Sequence, residues 1–113
     1  MHSWIVTTTE DRVFVGRRIL ALMQDPRSDA TRLGRLVDAV DSLAETVLET
    51  AEVLYEGRGR VTSATQAVTL IGYDRLERLV RRFLREEYAR LADDAAEVSA
   101  PLMSLVEPRY AAI

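Results

Sequence analysis

The chain has 113 residues, 48% of them hydrophobic and 29% charged, the balance of one globular domain large enough to bury a core without cross-links. It contains no cysteine, which excludes a disulfide framework and a thiolate zinc site and suits a reducing cytoplasm. A net charge of −3 argues against a molecule built as a whole to attract nucleic acid, and no apolar run approaches the roughly 20 residues of a membrane span.

The amino terminus lacks the basic start and long apolar run of a secretory signal. Trp4 to Thr9, reading WIVTTT, is β-branched and aromatic, so residues 1–10 are expected to form an arm, extended or as a short strand. A helix is expected from about Asp11 to Gln24, capped by Thr8 or Thr9. Val13, Phe14, Ile19, Leu20, Leu22 and Met23 are its apolar positions, and Arg17 and Arg18 face water. Pro26 breaks it by disfavouring helical geometry at Asp25.

Ser28 or Asp29 starts the next helix, with Leu33, Leu36, Val37 and Val40 on its apolar face. Gly34 interrupts that pattern at a local cost of about 1 kcal/mol, and a glycine so placed permits close helix packing. Asp41-Ser42 reads as another cap, followed by Leu43, Val47, Leu48, Ala51, Leu54 and Tyr55, until Gly57 and Gly59 end the helix.

The stretch from Arg60 to Leu84 organises the rest. Ser63 with Gln66 is a capping box, and Asp74 with Glu77 has the pattern of a second. Gly72 between them suits a left-handed residue joining two helices. Leu76, Leu79, Val80, Phe83 and Leu84 follow at the spacing of one buried face, which is expected to run to about Ala92. Pro101 and Pro108 bracket a short apolar patch, and residues 99–113 are expected to form an ordered arm or short helix. The fold class is therefore all-α: a compact bundle of five to six helices in one domain over 1–113, with its helical core at 11–92.

At this point the chain resembles the HDOD family, the HD-related output domain of bacterial signalling proteins. The family pattern has a DP break, then a helix carrying an aspartate and a leucine that ends near a Tyr-Gly. An Ile-Thr-Ser start, an Ala-Ile pair, a Leu-Gly and a leucine-rich helix follow. Here these fall at Asp25-Pro26, Asp41 and Leu43, Tyr55 and Gly57, Val61-Thr62-Ser63, Ala67-Val68, Ile71-Gly72 and Leu76 to Val80. The resemblance covers about Leu20 to Leu84. The family's Ala-Asn-Ser is replaced by Ala51-Glu52-Val53. Full HDOD domains are longer, so the resemblance implies a short or truncated member that completes its core by dimerising or with its own ends. It also implies a regulatory role without the metal ligands of HD phosphohydrolases.

The residues agree with that implication. A metal-dependent HD hydrolase needs several histidines, and this chain has only His2, near its terminus. Asp93 and Asp94 are adjacent, so a helix turns them about 100° apart and leaves them as solvated charges. Ser63 has no neighbouring base, and the GRG of residues 57–59 is too short for a phosphate loop. No catalytic residue, cofactor or metal site is expected, and the chain reads as no enzyme.

All 15 basic residues are arginine, which reflects either a GC-rich coding sequence or planar recognition of phosphates and carboxylates. Arg75, Arg78, Arg82 and Arg85 recur at three- and four-residue spacing and share one helix face, a candidate surface for phosphates or an acidic partner. The bland alternative is a solvated face neutralised by Glu77–Arg81 and Arg82–Glu86 pairs, with Glu87 as a further diluting charge and Tyr73 and Tyr88 packed inward.

The leading expectation is a non-enzymatic cytoplasmic signalling module that acts through protein contacts and self-associates as a homodimer. Candidate self-association residues are Trp4, Ile5, Leu102 and Met103, in the apolar ends of the chain. The alternative is a small DNA-binding regulator using the arginine helix, disfavoured by net acidity; no membrane partner is expected.

Overall fold

A computed structural model describes residues 8–56 and 60–112 of the chain, with side chains as far as residue 95. Among the described residues there are helices and no strand. Helix α1 spans Thr9–Met23, α2 Ala30–Asp38, α3 Asp41–Leu54 and α4 Ala64–Ala112.

Each start has a local cause. The Thr8 hydroxyl accepts from the Asp11 amide at 3.1 Å, and the Asp29 carboxylate accepts from the Arg32 amide at 2.9 Å. Between these helices Asp25 turns the chain, its carboxylate accepting from the Arg27 amide at 2.9 Å. The Ser63 box forms: Ser63 Oγ accepts from the Gln66 amide, and Gln66 Oε1 accepts from the amide of Thr62, both at 3.1 Å. The Asp41-Ser42 cap does not form. Val40 occupies the cap position without a side-chain bond, because its apolar side chain is buried there, and Asp41 becomes the first helical residue.

Four helical spans stand in place of the expected five to six; within α4 the backbone at Gly72 is non-helical, so the two expected central helices meet there at a kink. Gly72 has the positive φ expected of it, 83°, but a ψ of 165°, which is extended rather than left-handed helical. The expected Asp74 cap is absent, and Glu77 pairs with Arg81 instead. The two carbonyls just before the break accept from side chains: Tyr55 Oη donates to Leu70 O at 2.6 Å and Arg75 Nη1 to Ile71 O at 3.3 Å. The helix end expected near Ala92 is also absent. No glycine follows Ala92, where Asp93-Asp94-Ala95-Ala96 stands, and α4 continues through residues 99–112, Pro101 and Pro108 included, as helix rather than a separate arm. At the other end α1 begins at Thr9, inside the expected arm, and the WIVTTT strand lies outside the described residues up to Thr7.

Helix α4 contacts each of the other three, so the core forms around it. Ile19, Leu33, Val37, Val47, Val68, Leu76 and Val80 are fully buried, each contributing about 1.5–3 kcal/mol. Gly34 is where α2 meets the start of α4: a Cβ there would lie 2.8 Å from both the Cα and the backbone N of Thr65. Two apolar positions leave the expected core. Phe14 is 68% exposed, since it lies about 140° around α1 from fully buried Ile19. Leu54, at the last turn of α3, is 42% exposed.

Candidate functional site

The first half of α4 after Gly72 has two faces. Leu76, Val80, Phe83 and Leu84 are buried against the other helices, and Arg75, Arg78, Arg82 and Arg85 are exposed. The four arginines are brought together with Thr50 of α3 and Leu79 along one groove of about 410 Å³. The row therefore borders α3. Arg82 and Leu79 also line a neighbouring hollow of about 280 Å³, which reaches Ser42, Thr46 and Glu87.

The neutralisation expected along this helix is half present. Glu77 and Arg81 pair at 2.8 Å. The expected Arg82–Glu86 pair is not formed, and Arg78, Arg82 and Arg85 make no hydrogen bond or ion pair among the described residues. Arg75 is engaged only with the Ile71 carbonyl. Three exposed guanidinium groups thus stand along a single helix face without a partner among the described residues. Guanidinium donors in a fixed fork match carboxylate or phosphate oxygens in pairs, so the face is chemically suited to an anionic surface.

The tyrosines beside the row do not pack inward. Tyr73 is 38% and Tyr88 45% exposed. Tyr88 lies at the edge of the buried stripe, whereas Tyr73, seven residues before Val80, stands on the stripe but at its end, directly after Gly72. Tyr88 shares a second groove with Arg17, Arg81 and Arg85 on the α1 side, so Arg85 borders both grooves.

Glu87 corrects another expectation. Rather than a diluting surface charge it is 2% exposed. Its Oε1 accepts from Arg12 Nε at 2.8 Å and its Oε2 from Arg90 Nη1 at 3.2 Å. Burial of a carboxylate requires such pairing, and among the described residues none of the buried side-chain polar atoms lacks a partner. The sequence did carry a signal: Glu87 lies four residues after Phe83 and seven after Val80, on the buried stripe.

The remaining chemical candidates stay apart. Ser63 Oγ is used as a cap, and Asp93 and Asp94 are exposed. Among the described residues no group of three or more His, Cys, Asp or Glu is arranged to hold a metal ion, and no helix is long and apolar enough to cross a membrane. Trp4, Ile5 and His2, and the side chains of Leu102 and Met103, lie outside what is described.

Compared with known families, residues 13–102 match the HDOD domain, a span that extends beyond residues 20–84 on both sides. No curated protein and no solved structure matches the chain.

Proposed function

The chain belongs to the HDOD family, and from that premise we propose that it is a non-enzymatic signalling module that works through protein contacts, self-association among them. The observation that carries this reading is the row of Arg78, Arg82 and Arg85, exposed along one helix face and paired with no carboxylate among the described residues. Such a face favours a partner that brings carboxylates to it. The non-enzymatic part rests on the sequence, whose single histidine, His2, cannot make the multi-histidine site of an HD hydrolase. The absence of cysteine suits work in a reducing cytoplasm.

An affinity pull-down from nuclease-treated cell extract, run with the wild-type chain and an Arg78→Glu/Arg82→Glu variant, tests the reading. A stoichiometric protein partner held by the wild type and lost by the variant supports it. Equal recovery by both refutes the arginine face.

A small DNA-binding regulator is the second reading. It is favoured by the exposure of Tyr73 and Tyr88 beside the arginines, since aromatic side chains next to basic ones offer stacking surfaces. Net acidity weighs against it. Recovery that collapses on nuclease treatment, with salt-dependent binding to DNA lost in the same variant, would put this reading first.

A further inference from the structure

Helix α3 carries a second unneutralised row. Asp41, Glu45, Glu49 and Glu52 recur at intervals of four, four and three residues, which places them on one face of the helix, and all four are exposed. None of them makes an ion pair among the described residues. The arginine row on α4 recurs at three, four and three. The acidic row spans about 16 Å and the arginine row about 15 Å at the helical rise of 1.5 Å per residue.

The two rows lie on helices in direct contact, yet they do not neutralise each other within the chain. The arginines share their groove with Thr50 of α3, so the arginine row borders the helix that carries the acidic row, and Glu49 is turned about 100° around that helix from Thr50. Opposite charge and matched length, on two helices in direct contact, make the two rows complementary to those of a second copy. A two-fold axis set between the rows would lay α3 of one copy on α4 of the other, and the same contact would repeat on the other side.

We propose that the arginine row of α4 docks on the acidic row of α3 in a second copy of the chain, forming a two-fold dimer through Arg75, Arg78, Arg82 and Arg85 against Asp41, Glu45, Glu49 and Glu52. This rests on the reading that the chain acts through protein contacts, and it names the occupant of the arginine face. Val53, 75% exposed beside Glu52, adds apolar area at the edge of the contact. Within this arrangement no acidic row faces another acidic row. A rim of exposed ion pairs sets register and partner choice more than affinity, so the dimer weakens as salt rises.

Sedimentation equilibrium of the full chain at low and high salt tests the proposal. The wild type is expected to be a dimer at low salt and to dissociate as salt rises. Glu45→Arg/Glu49→Arg and Arg78→Glu/Arg82→Glu are each expected to weaken it by at least about tenfold. Mixing the two variants is expected to restore a heterodimer, because both α3–α4 contacts again join opposite charges. Circular dichroism shows that each variant keeps its helices, and the rescue by mixing requires it. A monomeric wild type, or a dimer unchanged by reversal on α3, overturns the proposal. Should reversal on α3 leave the mass unchanged while reversal on α4 still abolishes partner capture, only the second-copy assignment fails. Should reversal on α4 change neither mass nor capture, the protein-contact reading fails with it.

Discussion

Arg12 and Glu87 are 75 positions apart in sequence and their side chains meet at 2.8 Å, tying the first turn of α1 to the middle of α4. The contact is largely removed from solvent, with 16% of the Arg12 side chain and 3% of the Glu87 side chain exposed. Arg12 also donates from Nη2 to Thr9 Oγ1 at 2.9 Å, which fixes the guanidinium at the helix start.

Removing Arg12 therefore leaves a buried carboxylate with only the more exposed Arg90 beside it. Arg12→Ala is expected to destabilise the protein by about 3 kcal/mol. Arg90→Ala, whose side chain is 59% exposed, is expected to cost less than about 1 kcal/mol. Urea denaturation of the two variants checks the ranking; equal effects would mean that Glu87 does not depend on Arg12.

Gly34 offers a case where propensity and packing disagree. In an isolated helix Gly34→Ala would gain about 1 kcal/mol. Here the added Cβ would lie 2.8 Å from two backbone atoms of Thr65, which no side-chain rotation relieves. The variant is expected to lose about 1–3 kcal/mol by forcing α2 away from α4. Thr65→Ala in the same chain should not rescue it, and a rescue in thermal melts would show that the hydroxyl alone was the obstacle.

Gly72 fails differently. A Cβ there meets nothing within 4 Å, so the cost of Gly72→Ala is purely one of backbone conformation at φ 83°. The expected loss is about 1–3 kcal/mol. Tyr55→Phe, which frees the Leu70 carbonyl before the break, is expected to cost about 1 kcal/mol. A thermal melt unchanged by Gly72→Ala would mean that the break relaxes into continuous helix.

Asp38 gives a pH dependence. It ends α2, and although the residue is exposed overall, partial burial of its carboxyl raises the pKa above the ordinary 3.8. The folded chain then holds this proton more tightly than the unfolded chain. The sign follows: stability from this group is greatest in acid, falls as pH rises from 3.8 to the raised folded value, and stays lower above it. Asp38→Asn is expected to raise the melting temperature at neutral pH. Relief of an unfavourable charge at a helix C-terminus adds about 0.3–1 kcal/mol there. Both gains should fade below about pH 3, where Asp38 is protonated in both states. A gain that persists there would assign the effect to something other than charge.

The sequence by itself determined what depends on neighbours in the chain. Thr8, Asp29 and the Ser63–Gln66 pair cap helices because a side chain three or four residues from its amide partner needs no tertiary partner. Spacing likewise determined that Arg75, Arg78, Arg82 and Arg85 share a face, since helix geometry fixes that locally. The family pattern was legible for the same reason, being built of breaks, caps and core positions.

Tertiary structure decided which of several legal local choices was used. Val40 displaced Asp41-Ser42 from the cap position because burying valine outweighed one exposed hydrogen bond. Glu87 became an interior ion pair because α1 brought Arg12 to it. The arginine row remained unpaired although α4 packs against α3, whose exposed Asp41, Glu45, Glu49 and Glu52 make no ion pair with it. Charge spacing along a helix is local, whereas the neutralisation of that charge depends on how helices lie against one another.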